Sequence, residues 1–137
     1  LIENTDIHPV VAGYYMMSDC KSLVIVKDWD TDHFAKNGTF QFLTPEYITK
    51  WKSETGSKFM EVSYVGMGFF AVRKEVLNTL SYPFFNGELQ RIAKEDGTEL
   101  VDLSSEDVNF CKNLQAAGHT VYVNVDLRVG HEKSIII

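Results

Sequence analysis

The sequence is short of basic residues and contains no long apolar run. Its 137 residues include 13 Lys and Arg against 19 Asp and Glu, for a formal net charge of −6. Proteins that neutralise phosphates need clustered Lys and Arg, so we expect no nucleic-acid partner. No apolar stretch approaches the ~20 residues of a membrane-spanning helix, and the closing run Ile135-Ile136-Ile137 is far too short. We therefore expect no membrane segment.

Cysteine and proline are also scarce. Cys20 and Cys111 lie far apart without CxxC spacing, so neither a disulfide framework nor a zinc site is predicted. Reduced thiols are the default interpretation, and they favour a cytoplasmic protein. With 3 Pro, 9 Gly and 45% hydrophobic residues, residues 1–137 are expected to form a single globular domain. The sequence opens Leu1-Ile2-Glu3 without an initiator Met, and we expect a piece that starts within a helix.

The first half of the chain predicts strands and one clear helix. Runs of β-branched and aromatic residues at 10–17 and 23–26 predict two strands that could pair. Residues 28–39 are predicted to be a polar loop. Thr44 as N-cap followed by Pro45 predicts a helix start, and Gly56 would end that helix. Further along, residues 61–65 and 69–72 are predicted to be extended and residues 73–80 to be a short helix.

The second half predicts a hairpin, a helix and a strand. The Asp96-Gly97 pair is typical of a tight turn, which predicts a hairpin over residues 89–102. Val108, Cys111 and Leu114 recur at helical spacing before Gly118. Alternating Val and Leu over residues 121–129 predict a strand with one buried face. Interleaved helices and strands favour an α/β domain with a mostly parallel or mixed sheet, in which ligands bind beyond strand ends and at helix N-termini.

Glu106 and Asp107 at the start of the last helix are the sharpest functional candidates. A carboxylate at a helix N-terminus stays ionised and can act as a general base toward a hydroxyl nucleophile. Alternatively, Ser104-x-x-Asp107 fits a capping box, in which the acid only satisfies a backbone N–H. Local sequence by itself favours the cap.

Two weaker candidates are Gly66-Met67-Gly68 and His131. The glycines match neither the P-loop nor the dinucleotide fingerprint. They allow a close approach to a ligand or, as spacing favours, a bulge in a strand. His131 follows Gly130 at a strand end and is either a metal ligand or a surface residue, since no second ligand stands at motif spacing.

The alternating carboxylates of residues 28–33 resemble a loop for Mg²⁺ or Mn²⁺. The segment fails as an EF-hand because His33 replaces the required Gly, and a solvated loop is the favoured interpretation. Trp29 and Asp30 of this segment are kept as candidate substrate-binding residues.

Several segments taken together resemble the GT-A-fold glycosyltransferases, which move a sugar from a nucleotide-sugar donor to an acceptor hydroxyl. The likeness covers most of the chain, best from Val62 onward. The segments that carry it are VGMGF at 65–69, RKEVL at 73–77, SEDVNFC at 105–111, AGH at 117–119 and VGH at 129–131.

The resemblance implies a role for each matching position. It implies a GT-A-like (Rossmann-like) mixed sheet flanked by helices. Gly66, Met67 and Gly68 would form the glycine-rich loop beside donor and acceptor. Asp107, preceded by Glu106, would be the catalytic base or an acceptor-binding carboxylate. His131 would help to hold the divalent metal, Mn²⁺ or Mg²⁺, which would neutralise the leaving nucleoside diphosphate.

The resemblance also implies that the nucleotide-binding half of the domain is missing, and it leaves two alternative functions open. The nucleotide-binding first half of the family, with its Asp-x-Asp motif, has no counterpart before Leu1, so the chain is expected to be a C-terminal, acceptor-side half. Single displacement with inversion is the expected stereochemistry. The alternatives are a non-catalytic carbohydrate- or protein-binding module on the same scaffold and a nucleotidyltransferase.

Overall fold

Helices and strands are interleaved along the chain in a computed structural model, which describes residues 1–132 and 134. The strands are β1 (Val10–Tyr14), β2 (Ile25–Val26), β3 (Phe59–Val62), β4 (Tyr64–Val65), β5 (Phe70–Val72), β6 (Leu89–Ala93), β7 (Glu99–Leu103) and β8 (Val121–Arg128). The α-helices are α1 (Thr31–Asn37), α2 (Pro45–Thr55), α3 (Lys74–Leu77) and α4 (Glu106–Ala116). Short 3-10 helices span Ile2–Asp6 and Met67–Phe69. The Ile135-Ile136-Ile137 run lies outside the described residues.

Four strands form the central sheet in the order β3-β8-β1-β5. β1 and β8 are parallel, whereas β3 is antiparallel to β8 and β5 is antiparallel to β1. This confirms an α/β domain with a mixed sheet. The register of β1 against β8 shifts between Ala12 and Tyr14. A Cβ on the intervening Gly13 would stand 2.7 Å from the carbonyl oxygen of Leu127, so glycine permits the close approach of the two strands.

The main core cluster is built on β1 and β8. All five residues of β1 are buried, as are Val121, Val123 and Val125 of β8, which confirms the buried face predicted by the alternation at residues 121–129. Phe110 and Leu114 of α4 pack into the same cluster. A second, smaller cluster joins α4 to β2 and β4 through Val26, Tyr64, Val108 and Cys111.

Helix α2 forms where its start and stop signals predict it. The Thr44 hydroxyl accepts a hydrogen bond from the Tyr47 N–H at 3.3 Å, and Pro45 occupies the first helical position. Gly56 ends the helix in the left-handed conformation at φ 66°. At 11 residues, α2 and α4 are the longest helices. None of the helices in the described part of the chain is long and apolar enough to cross a membrane.

The prediction of a polar loop at residues 28–39 is wrong, because α1 lies there. Asp30 is its N-cap, with the carboxylate accepting the His33 N–H at 2.9 Å. Gly38 closes its C-terminus at φ 69°. Phe34 is the one buried residue of this seven-residue helix. A single buried position leaves no helical repeat to recognise in the sequence, so only the two caps could have indicated a helix.

The two strands predicted at residues 10–17 and 23–26 are both present but belong to different sheets. β1 joins the central sheet, whereas β2 pairs with β4. An isolated bridge between Met16 and Leu23 connects the two segments. The Asp19 carboxylate accepts the N–H groups of Lys21 and Ser22, each at 2.8 Å, and so closes the turn between the two segments.

The predicted hairpin is confirmed. β6 and β7 pair antiparallel over five residues each, and Gly97 has a φ of 84°. The Asp96 carboxylate accepts both the N–H and the hydroxyl of Thr98. These local contacts account for the turn, which brings the chain back to the start of α4.

Candidate functional site

The start of α4 is held by Ser105, not by a capping box. The Ser105 hydroxyl accepts the Val108 N–H at 3.3 Å. Ser104 is buried and instead binds Glu88, whose N–H it accepts at 3.2 Å and whose carbonyl it contacts at 3.1 Å. The predicted Ser104-x-x-Asp107 box is therefore wrong by one position. With Ser105 as the N-cap, Asp107 stands at the second position of the helix and not at the third position that the acid of a capping box occupies.

Asp107 is half-buried, while its neighbour Glu106 is exposed. Burial raises the pKa of the Asp107 carboxyl above its ordinary value, and the negative charge of Glu106 adds to the rise. Hydrogen bonding from the Met67 backbone acts in the opposite direction and lowers the pKa. A carboxylate with a raised pKa is a better proton acceptor than a carboxylate with an ordinary pKa. Met67 also packs against the second cluster, which includes Val108 and Cys111 of the same helix.

Two further ionisable groups lie beneath Asp107. Cys111, one helical turn further along α4, is fully buried, and burial raises the pKa of its thiol to about 11. Burial also raises the pKa of Tyr64, with the charge of Asp107 as the next cause. Both groups stay neutral at physiological pH, so Cys111 lacks the thiolate that a nucleophilic role requires. Cys111 is a free, buried thiol on the apolar face that its helical spacing with Val108 and Leu114 indicates.

Gly66-Met67-Gly68 forms a 3-10 turn between β4 and β5 and is not the bulge that its spacing favoured. A Cβ on Gly66 would overlap the Tyr15 hydroxyl and stand 2.5 Å from Cγ1 of Val24. A Cβ on Gly68 would stand 2.7 Å from Cε1 of Tyr15. The space that these two glycines leave is therefore filled by a side chain of the same protein.

Tyr15 connects this turn to His131. Its hydroxyl oxygen accepts the Gly68 N–H at 3.2 Å. Its ring stacks on the His131 ring with 5.0 Å between centroids and 24° between planes. Tyr15 follows β1 and His131 follows β8, so the contact joins the carboxyl ends of two adjacent parallel strands. Nothing in the sequence distinguishes Tyr15 from a core aromatic.

Trp29 and Asp30 have other partners. The Trp29 indole N–H donates to Oε1 of Gln115 at 3.3 Å, and its ring lies beneath the Lys112 ammonium at 4.9 Å. It packs against the second cluster, as Met67 does. Asp30 is exposed and caps α1. The structure thus associates Asp107, the glycine turn, Tyr15 and His131, while Asp30 serves a different element.

The residues near Asp107 and His131 offer few ligands to a divalent metal. Within residues 1–132 and 134, no three or more His, Cys, Asp or Glu side chains are grouped so that they could hold a metal ion. His131 is exposed and stacked on Tyr15. These residues therefore do not form a metal site by themselves. A metal at His131 stays a prediction.

The AGH segment at 117–119 faces another surface. His119 Nε2 lies 2.7 Å from the Thr79 hydroxyl. Together with Glu61 and Gln115 it lines a polar cavity of about 350 Å³. This cavity is built by different residues from those around Asp107.

Comparison with known proteins leaves the family undetermined. No protein-family model matches the sequence, and no curated protein matches it. Among solved structures, the crystal structure of A197 from STIV is similar at 18% identity and a TM-score of 0.44. The alignment covers 90% of this chain and 43% of that one, so this chain spans less than half of its length. A similarity at this level supports no statement about function.

Proposed function

We propose that this chain is the acceptor-side portion of a GT-A-like glycosyltransferase domain, with Asp107 as the catalytic base. The observation that carries the proposal is the half-buried Asp107 carboxylate, which lies in the first turn of α4 and has a pKa raised by burial. The motif order described above supports the same function. Glu106 is assigned a supporting role, because its charge raises the basicity of Asp107.

In the proposed reaction, the acceptor hydroxyl oxygen attacks the anomeric carbon of the donor sugar. The bond from that carbon to the diphosphate oxygen breaks, and the hydroxyl proton passes to the Asp107 carboxylate. A single displacement of this kind inverts the anomeric centre. General-base assistance contributes about 10²–10⁴-fold to the rate of such proton transfers. A raised pKa increases that contribution as long as the group remains ionised at the working pH.

In this proposal the diphosphate of the nucleotide-sugar donor requires a positively charged partner. A leaving diphosphate needs positive charge in the transition state, and the chain itself has a net charge of −6. We assign this role to Mn²⁺ or Mg²⁺, with His131 as the ligand from this chain and the remaining ligands from a nucleotide-binding half outside these 137 residues. Trp29 and the glycine turn remain candidates for contacts with the substrates.

The first experiment measures sugar transfer by the natural full-length protein. Asp107→Asn should lower kcat about 10²–10⁴-fold, because the amide cannot accept the proton. Asp102→Asn is the matched control, since Asp102 is exposed on the hairpin only five positions earlier, and it should leave the rate unchanged. Transfer at the unmutated rate by Asp107→Asn would refute the proposed base.

The second experiment measures thermal stability with Mn²⁺ and a panel of UDP- and GDP-sugars. A matching donor should raise the melting temperature of the full-length protein by mass action, and His131→Ala should weaken the dependence on Mn²⁺. No shift with any donor contradicts the proposal. Glycan binding that persists in EDTA would instead indicate a binding module, and nucleotide found on the acceptor would indicate a nucleotidyltransferase.

A further inference from the structure

The Tyr15 side chain makes two contacts at the candidate site, and neither belongs to the strand pairing of the central sheet. Its hydroxyl accepts the Gly68 N–H at 3.2 Å, and its ring stacks on His131. The residue lies beyond the last residue of β1, so it makes no ladder contact there. The preceding Tyr14 is different, since it is buried and donates its hydroxyl to the Val125 carbonyl at 2.9 Å.

The glycine turn is shaped to fit Tyr15. Side chains at Gly66 or Gly68 would collide with the Tyr15 ring or hydroxyl. Gly66 is buried whereas Gly68 is exposed. A Cβ on Gly66 would come closest to the Tyr15 hydroxyl and one on Gly68 would come closest to the Tyr15 ring, while the hydroxyl also accepts the Gly68 N–H. Both ends of the turn are thereby tied to one side chain, and Met67 lies between them.

From these contacts we infer that Tyr15 is a positioning residue, which holds the Gly66-Met67-Gly68 turn against the start of α4, where Met67 packs on the cluster that contains Val108 and Cys111. The hydroxyl fixes the turn through Gly68, and the ring fixes His131 at the adjacent strand end. The catalytic part of this inference rests on the proposed function. The contact between Tyr15 and the turn does not depend on it.

The test compares Tyr15→Phe with a matched control, Tyr122→Phe. Tyr122 is also half-buried and also stacks on a histidine, His8, at 3.7 Å between centroids. Each substitution removes one hydroxyl and keeps the ring, so folding should survive in both. Tyr15→Phe removes the acceptor of the Gly68 N–H, whereas Tyr122→Phe leaves that hydrogen bond in place.

The first readout is amide hydrogen exchange at Gly68 in the natural full-length protein. Loss of one hydrogen bond should accelerate this exchange about five- to tenfold in Tyr15→Phe. Exchange at Gly68 should be unchanged in Tyr122→Phe. An unchanged Gly68 rate in Tyr15→Phe overturns the inference, because the hydroxyl would then not hold the turn.

The second readout is the pH profile of kcat for sugar transfer. A less ordered turn weakens the interaction between the Met67 backbone and the Asp107 carboxylate. We expect the acidic limb of the profile to move to higher pH in Tyr15→Phe, with kcat lowered about tenfold at pH 7 if one transition-state contact is lost. Tyr122→Phe should keep the unmutated profile. A purely structural role for Tyr15 would not move the acidic limb.

The two readouts separate the inference from the proposed function. Faster Gly68 exchange with an unmoved pH profile overturns the positioning role. A full-length protein that transfers no sugar with any donor overturns the proposed function and, with it, the catalytic consequence of Tyr15. Faster exchange at Gly68 would still establish that the hydroxyl holds the turn.

Discussion

The central sheet and the β6–β7 hairpin differ in what stabilises them. Every residue of β1 is buried, whereas no residue of β6 or β7 is. The hairpin instead has a local turn at Asp96 and Gly97 and an exposed ion pair between Arg91 and Glu99 at 3.1 Å. Exposed pairs of this kind contribute about 0–1 kcal/mol. The sheet therefore depends on packing between distant segments, and the hairpin depends on its turn.

The largest expected effect contrasts two leucines. Leu114 is 0% exposed in the main core, whereas Leu103 on the hairpin is 63% exposed. Leu114→Ala should lower the free energy of unfolding by about 2–5 kcal/mol, because it leaves a cavity. Leu103→Ala should change it by less than about 0.5 kcal/mol. Urea unfolding of both variants measures the difference, and similar losses would contradict the contrast.

A smaller effect is expected at two glycines. Gly66→Ala should cost about 1–3 kcal/mol, because its Cβ would overlap Tyr15 and Val24. Gly97→Ala should cost about 1–2 kcal/mol for a different reason, since its φ is 84° with nothing within 4 Å of a Cβ.

Asparagine separates the two causes in the same unfolding assay. Asn tolerates the left-handed conformation, so Gly97→Asn should recover most of the stability that Gly97→Ala loses. Gly66→Asn should be at least as destabilising as Gly66→Ala, because the obstacle there is space. Recovery by asparagine at Gly66 would show that the Tyr15 contact is not what requires glycine.

The smallest effect concerns two carboxylates with opposite shifts. Burial, followed by the charge of Glu106, raises the pKa of Asp107 above its ordinary 3.8. The native state therefore binds this proton more tightly than the unfolded state, and the ionised Asp107 reduces stability once the pH exceeds its native pKa. Asp107→Asn should become more favourable relative to the unmutated protein as the pH rises from below 3.8 to 7.

Asp96 in the hairpin turn should respond with the opposite sign. Hydrogen bonds from the Thr98 hydroxyl and N–H lower its pKa below 3.8. Its contribution to stability is therefore present above the unfolded pKa and is lost as the pH falls through the native pKa. Asp96→Asn should become less favourable as the pH rises to 7. Urea unfolding across that range checks both signs, and parallel trends for the two variants would contradict the assignment.

Local signals predicted the elements that depend on them. Thr44, Pro45 and Gly56 bound α2 as expected, and the Asp96-Gly97 pair makes the predicted turn. The predictions were wrong where one local pattern was compatible with more than one structure. The acids of residues 28–33 indicated a loop, although Asp30 caps a helix there. Ser104 and Ser105 were both possible N-caps of α4. Ser105 is the N-cap, because the Ser104 hydroxyl is bound to the Glu88 backbone.

The sequence predicted the individual residues of the candidate site but not the contacts between them. Asp107, the glycine turn and His131 were each identifiable from residue type and from their place at a helix start or strand end. Their association was not, because it passes through Tyr15, which resembles a core aromatic in the sequence. Gly66 and Gly68 were expected to leave space for a ligand or a bulge, whereas that space is filled by the Tyr15 side chain.

The sequence by itself determined the α/β class, the caps of α2, the hairpin turn and the buried face of β8, since these follow from backbone conformation and from the spacing of apolar residues. The tertiary structure alone decided that β1 lies beside β8 and that β2 pairs with β4. It also decided that Tyr15 meets both Gly68 and His131. Strand partners and side-chain contacts between distant segments depend on which apolar faces bury each other, and no local signal specifies that choice.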